Sequence, residues 1–299
     1  MRILLLGANG QVGWELQRAL APLGQVIALT RQGAEGLCGD LADREGLVRT
    51  VSEVRPRVIV NAAAYTAVDR AEAEPEQARA INATAPGVLA EAASEQGALL
   101  VHYSTDYIFA GDGDAAWRED DPSAPLNVYG RTKWEGEQAV RSASPEHLIL
   151  RTQWVYAARG KNFLHTMLRL ASERERLEIV DDQFGAPTGA ELIADASVHA
   201  IRGVLHDSQL AGTYHLAAGG VTSWHGYARF LIQAARDAGW DIRVPDEAIV
   251  PVGSDAFPTP AKRPNNSRLA LERIETRFGL RMPDWREGVT RTIKELTRI

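Results

Sequence analysis

Short apolar runs alternate with amphipathic stretches through the first half of the chain, and nothing else in the sequence constrains the fold as tightly. The runs cover residues 3–6, 26–29, 58–60, 99–103 and 148–150. Between them apolar side chains recur at helical spacing: Val12, Leu16, Leu20 and Leu23, then Leu47, Val51 and Val54, then Ile81, Val88, Leu89 and Ala92. Strands that alternate with crossover helices run parallel, so the pattern predicts an α/β fold with a doubly wound, Rossmann-like parallel sheet. Helices cover both faces of such a sheet, which explains strands that are apolar throughout. After about residue 155 the rhythm loosens. Helices are predicted over 163–172, 192–205, 224–238, 269–278 and 285–296, joined by turn-forming clusters such as Ala218-Gly219-Gly220 and Phe257-Pro258-Thr259-Pro260. The expected division is a dinucleotide-binding domain over 1–155 and a smaller, mainly substrate-binding region over 156–299. Segments around 190–217 are candidates to return to the first domain. Ligands of open α/β sheets bind outside the carboxyl ends of the strands, where the second region would close.

Composition narrows the class of partner. The 299 residues carry a net charge of -6, from 33 basic and 39 acidic side chains. A nucleic-acid surface needs clustered positive charge, so this balance argues against one, while leaving room for a charged small molecule. Cys38 is the sole cysteine, which excludes an intrachain disulfide and a Cys-rich metal site and suits a reducing compartment. The apolar run after Met1-Arg2 is too short for a signal-peptide core, and none of the runs approaches the ~20 residues of a membrane span. The expected setting is the cytoplasm, with no membrane partner.

Gly7-Ala8-Asn9-Gly10-Gln11-Val12-Gly13 follows the first strand directly and opens a helix. Glycines allow a tight turn and close main-chain approach to a pyrophosphate, which then sits on free N–H groups at the helix start. The spacing is G-x-x-G-x-x-G, and its plainer alternative is an ordinary strand-to-helix turn. Cofactor choice is read at the end of the second strand, where an acidic side chain would repel a 2′-phosphate. Here Thr30 and Arg31 stand, and Arg31 can make a charge-assisted contact to that phosphate. The alternative is a solvated arginine. Asp40 and Leu41 can meet the adenine, or Asp40 can cap a helix. The small residues of Asn61-Ala62-Ala63-Ala64 leave room for the cofactor beside the next strand.

In Tyr129-Gly130-Arg131-Thr132-Lys133 the phenol and the ammonium stand four residues apart, hence on one helix face. A free phenol titrates at about 10, and a nearby ammonium together with a positively charged nicotinamide is expected to lower that value towards working pH, as a general acid for carbonyl reduction requires. The alternative is a surface pair. The strand at 99–103 ends in Ser104-Thr105-Asp106, where a hydroxyl can hold a substrate oxygen near the phenol. Thr105 is the first choice and Ser104 the second. Arg263, near a Pro-Asn-Asn turn, is a candidate partner for a diphosphate or for a surface carboxylate.

These segments, with Tyr65-Thr66-Ala67-Val68-Asp69, Arg151-Thr152-Gln153-Trp154-Val155-Tyr156, Asp182-Gln183-Phe184-Gly185-Ala186-Pro187-Thr188 and Arg263-Pro264-Asn265-Asn266-Ser267, resemble the extended short-chain dehydrogenases. Within them the likeness is to the dTDP-4-dehydrorhamnose reductase family, nearly end to end. The resemblance implies NADPH-dependent reduction of dTDP-4-dehydro-β-L-rhamnose, with Thr105, Tyr129 and Lys133 as the catalytic triad. It implies cofactor contacts from Gly10, Gln11, Val12, Asp40, Leu41, Ala64, Tyr65, Thr66, Tyr103 and Lys133. Thr105, Asp106 and Trp154 would face the sugar nucleotide. It also implies a homodimer and Mg²⁺ held by Glu15, Glu191 and Glu295, a set that spacing alone reads as solvated surface. Some relatives carry an acidic residue where Thr30 stands and use either cofactor; Thr30-Arg31 leans to NADPH over NADH. Two rival readings share the site or the family. One is a nucleotide-sugar epimerase or dehydratase with tightly held NAD. The other is a non-enzymatic regulatory subunit of the methionine adenosyltransferase type.

Overall fold

The computed structural model describes residues 1–297. Six strands form the central sheet: β1 (Arg2–Leu6), β2 (Gln25–Leu29), β3 (Val58–Asn61), β4 (Leu99–Thr105), β5 (His147–Thr152) and β6 (Gly212–His215). They lie in the order β2-β1-β3-β4-β5-β6, and every neighbouring pair is parallel. From β1 the chain first builds outward to β2 and then crosses to β3 on the other side. The carboxyl ends of β1 and β3 therefore flank the point where winding reverses, the place where a crevice must open.

Successive side chains of a strand point to opposite faces, and the apolar residues sort accordingly. Ile3 and Leu5 with Val58 and Val60 face helices α1 (Gln11–Leu20) and a later helix over Ala190–His206. Leu4, Leu6, Ile59 and Leu100 face α2 (Arg44–Val54), α3 (Ala85–Glu95) and α4 (Val128–Ala143). A separate apolar core lies between α5 (Phe163–Glu173), α7 (Trp224–Asp237) and α8 (Trp285–Thr297), with α6 denoting Ala190–His206. It includes Leu164, Leu168, Tyr227, Leu231, Trp285 and Val289. A parallel pair of strands, Leu177–Val180 and Ile249–Val252, edges this core.

The helix predicted over 269–278 forms only over Glu272–Phe278. Leu269 is buried with Ile108 and Phe109, and the neighbouring main chain is taken by Trp117: Trp117 N–H donates to the Arg268 carbonyl and Ala270 N–H to the Trp117 carbonyl. Those groups cannot also serve a helical turn. Among the described residues no helix is long and apolar enough to cross a membrane.

Candidate active site

A cleft of about 560 Å³ opens at the carboxyl ends of β1, β3, β4 and β5. Of the residues predicted to touch a cofactor, Gly7, Gly10, Gln11, Val12, Arg31, Asp40, Leu41, Ala62, Ala63, Ala64, Tyr65, Thr66, Tyr103, Tyr129 and Lys133 line it. Gly13 and Thr30 do not. Gly13 serves packing: a Cβ there would sit 2.0 Å from the Gly7 carbonyl oxygen, so only glycine lets α1 close onto the turn. Gly7 combines φ of +83° with a Cβ position 2.7 Å from the Ala63 nitrogen. The turn can thus be made and pressed against β3 only without a side chain. Gly10 begins α1 with no side-chain cap, which leaves first-turn N–H groups facing the cleft for an anion.

Thr30 turns aside, its hydroxyl donating to Gln32 Oε1 at 3.0 Å. Arg31 Nε lies 3.3 Å from Asp40 Oδ2, which holds the exposed guanidinium at the cleft mouth. Asp40 does not cap α2. That role falls to Asp43, whose Oδ1 accepts from Gly46 N–H at 2.8 Å.

Sequence reasoning missed Arg70, Gln77 and Thr152, which also line the cleft, as does Ser104, the second choice for the hydroxyl, whereas Thr105 does not. Arg70 and Gln77 sit on two short helices after β3 that have no clear periodicity. Thr152, the last residue of β5, was findable, because every strand of a parallel sheet brings its carboxyl end to the ligand edge. Its hydroxyl is buried and has no partner among the described residues.

Asn127 starts α4, its Oδ1 accepting from Gly130 N–H at 2.8 Å while its Nδ2 donates to the Lys262 carbonyl at 2.8 Å. The cap therefore also ties the helix to the later part of the chain. Tyr129 follows, its ring edge-on to Tyr107 at 5.6 Å between centroids. Burial pushes its phenol up to about 12, with the Thr105 hydroxyl pulling it back and Asp106 adding to the rise. This corrects the expected lowering by Lys133. The ammonium faces the Tyr103 carbonyl and His102 Nε2, the latter at 3.3 Å, and desolvation prevails at the phenol. Lys133 itself is brought down to about 8 by burial, against the pull of Glu137.

Thr105 ends β4, donating to Asp106 Oδ1 at 3.1 Å and accepting from Tyr107 N–H at 3.2 Å. Burial pushes the Asp106 carboxyl up to about 7, with Ser267 and Thr105 opposing. Trp154 is held at φ of +45° and stacks on Trp224, with centroids 3.7 Å apart. A left-handed tryptophan is backbone strain of the kind that collects at functional sites. Trp224 lines a second cavity of about 890 Å³, as does Arg263. Arg263 donates to Asp69 Oδ2 at 2.7 Å. That ion pair links the two cavity walls, since Ala67 and Arg70 beside Asp69 line one cavity and Arg263 lines the other.

The magnesium expectation finds no support within a single chain. Glu15 pairs with Arg18 at 3.6 Å and Glu191 with Arg291 at 3.4 Å. Burial raises the Glu191 carboxyl, Arg291 opposes this, and Glu15 and Glu295 add to it, so both lie within electrostatic range of Glu191. Yet among the described residues no three His, Cys, Asp or Glu side chains gather as a metal cage.

The family model described as the RmlD substrate binding domain matches residues 1–298. The chain is 55% identical over 296 residues to a dTDP-4-dehydrorhamnose reductase of Shigella flexneri, covering 99% of this chain and 98% of that protein. Among solved structures it resembles a dTDP-4-dehydrorhamnose reductase of Clostridium acetobutylicum, with TM-score 0.88, 34% identity and full coverage of both chains. It also resembles the Bacillus anthracis dTDP-4-dehydrorhamnose reductase in complex with NADP, with TM-score 0.87 and 36% identity over 98% of this chain and 99% of that one. With cleft, sheet order and sequence in agreement along the whole chain, this protein belongs to the RmlD substrate binding domain family.

Proposed function

We propose that the chain is an NADPH-dependent oxidoreductase that reduces dTDP-4-dehydro-β-L-rhamnose to dTDP-β-L-rhamnose. The observation that carries this reading is that Tyr129 and Lys133, on one face of α4, line the dinucleotide cleft, with the Thr105 hydroxyl at the end of β4 beside the Tyr129 phenol. The 55% identity to a reductase of that name supports the substrate. The likeness to a reductase in complex with NADP supports the cofactor.

The residues fit a dinucleotide. The uncapped start of α1 at Gly10, Gln11 and Val12 suits the pyrophosphate, Arg31 the 2′-phosphate, Asp40 and Leu41 the adenine, and Lys133 the ribose. The buried, unpartnered Thr152 hydroxyl awaits a polar group in the same cleft. Bound NADPH supplies the hydride that reduces C4. The protein's own task is to orient the ketone and to deliver a proton. With its phenol held at about 12, Tyr129 is protonated at neutral pH and so carries the proton that the developing alkoxide takes. Thr105 holds the carbonyl oxygen by hydrogen bond, and Lys133 offers positive charge to the phenolate left behind. The larger cavity, with Trp224 and Arg263 on its wall, has room for the nucleoside diphosphate half of the substrate. In this arrangement 1–155 and 190–217 serve the cofactor, and the remainder of 156–299 serves the substrate.

NADPH oxidation followed by absorbance against a panel of 4-keto nucleotide sugars tests the reading. Turnover is expected with the dTDP-4-keto-6-deoxy sugar and lost in Tyr129→Phe. Undiminished turnover in a folded Tyr129→Phe would overturn the assignment. Purification with a stoichiometric oxidised cofactor would favour an epimerase or dehydratase instead. A homodimer working in the cytoplasm completes the proposal, and sedimentation at twice the chain mass of 32.6 kDa checks the dimer.

A further inference from the structure

Behind the reacting groups lies a short polar chain that the mechanism above does not use. Asn61 of β3 and His102 of β4 are register partners, so their side chains leave the sheet on the same face. The Asn61 amide nitrogen Nδ2 faces His102 Nδ1 at 3.2 Å, and His102 Nε2 meets Lys133 Nζ at 3.3 Å. The three residues are 1%, 1% and 2% exposed. With solvent excluded, each polar atom must find its partner within the protein, and the protons can be assigned one by one.

An ammonium only donates. If Lys133 is charged, His102 Nε2 accepts from it, the ring proton sits on Nδ1, and Nδ1–H needs the Asn61 oxygen as its acceptor. Burial holds the imidazole well below its usual range, and the Lys133 charge adds to that effect, so the ring is neutral and able to accept. Lys133 then spends one N–H on His102 and one on the Tyr103 carbonyl. Of its three donors one remains for the cleft, which Lys133 lines. The charged group facing Lys133 is Glu137, one turn along α4, which is already engaged by Arg151 of β5 and by Arg141. Tyr129 stands one turn before it, and the Tyr103 hydroxyl is turned to Ser197 of α6.

We propose that His102, oriented by Asn61, is a positioning residue that keeps Lys133 charged and aims its remaining N–H into the cleft, by holding the neutral Nδ1–H tautomer. The orientation of Asn61 decides between this arrangement and its rival. As placed, the Asn61 oxygen accepts from Ala63 N–H at a long 3.3 Å. Turning the amide gives up that weak bond and brings Nδ2 to the Ala63 N–H, in exchange for a bond that His102 Nδ1–H donates to the Asn61 oxygen. The rival keeps the Ala63 bond, puts the ring proton on Nε2 and requires a neutral amine at Lys133. The inference rests on the reductase reading only for the task that Lys133 performs.

Full-length protein labelled with ¹⁵N at its histidines reads the tautomer directly, and the His102→Gln spectrum assigns the resonance. A protonated Nδ1 with a bare Nε2 at pH 7 is expected; a protonated Nε2 overturns the proposal. In function, His102→Leu is expected to move the alkaline limb of the pH–rate profile down by about one unit, the equivalent of a tenfold change in proton affinity. It should also weaken NADPH binding, read by fluorescence. His102→Gln, whose Oε1 can accept from Lys133, should restore both. A role in packing alone predicts a lower melting temperature in His102→Leu with the limb unmoved, and that result would also refute the proposal. If His102→Leu does not fold, the wild-type tautomer decides. Tautomer and NADPH affinity need no sugar substrate, so failure of the reductase reading would show separately, as NADPH binding without turnover.

Discussion

Tyr129 and Lys133 carry opposite demands. The phenol must hold its proton until the ketone takes it, and the lysine must stay charged in a place that disfavours charge. Burial pushes the first up to about 12 and the second down to about 8. Replacing Tyr129 by Phe is expected to cut kcat by about 10²–10⁴, the usual share of a positioned acid, with NADPH affinity nearly intact by fluorescence titration. The sign of the pH dependence follows from Lys133. Its ammonium persists below about 8 and is lost above, so kcat/KM should fall as pH rises through that value. A Lys133→Met enzyme, already slow, should lack that limb in the same stopped-flow profile. Arg31 acts at the far end of the cleft, exposed and steadied by Asp40. Its charge-assisted bond to a 2′-phosphate falls at the low end of about 1.5–3 kcal/mol because water competes. Arg31→Ala should therefore raise KM for NADPH by about tenfold and leave that for NADH unchanged in steady-state assays.

Helix α4 delivers both groups, and its hold on the sheet is electrostatic as well as apolar. Glu137, fully buried, receives Arg151 Nε at 2.9 Å and Nη2 at 2.8 Å from β5, and Arg141 Nη2 at 2.7 Å. Burial pushes the Glu137 carboxyl up, but Arg151, with Arg141 and the Ser104 hydroxyl, outweighs it and keeps the group below its ordinary value. Glu137→Gln would leave Arg151 charged, buried and without its bidentate partner, at a cost of about 3–5 kcal/mol in urea unfolding. Because Glu137 lies one turn from Lys133, the same variant should also disturb NADPH binding. The helix, with Tyr129 and Lys133 at spacing i, i+4, is plain in the sequence. The bolt beneath it is not, since Glu137 and Arg151 look like two ordinary charged residues until β5 and α4 are stacked.

At the scale of the molecule, the apolar layers on the central sheet and the core between α5, α7 and α8 are laced together by a chain that leaves the sheet after β5 and comes back. β6 pairs with β5, and α6 covers the face of β1 and β3 beside α1. A fragment of residues 1–155 would lose both, exposing the edge of β5 and the apolar surface around Ile3, Leu5, Val58 and Val60. Such a fragment is expected to aggregate or to show little ordered structure by circular dichroism, and to bind no NADPH. A soluble, NADPH-binding fragment would mean that β6 and α6 are dispensable to the central sheet. The substrate side depends on the same lacing, because Asn127 caps α4 while bonding the Lys262 main chain.

What the sequence determined by itself is local in origin. Periodicity separates strands from helices, alternation with crossovers makes the sheet parallel, and the glycines at 7 and 13 declare a turn that no side chain can enter. Only the tertiary structure decided the rest. It removed residues 269–271 from their helix by giving their main chain to Trp117, and it paired Glu191 with Arg291 from the far end of the chain. It also brought His102 to Lys133 and reversed the expected direction of the Tyr129 titration. The physical reason is common to all of these. Hydrogen-bond partners and loss of solvent are supplied by residues far away in the chain, so no spacing along it can encode them.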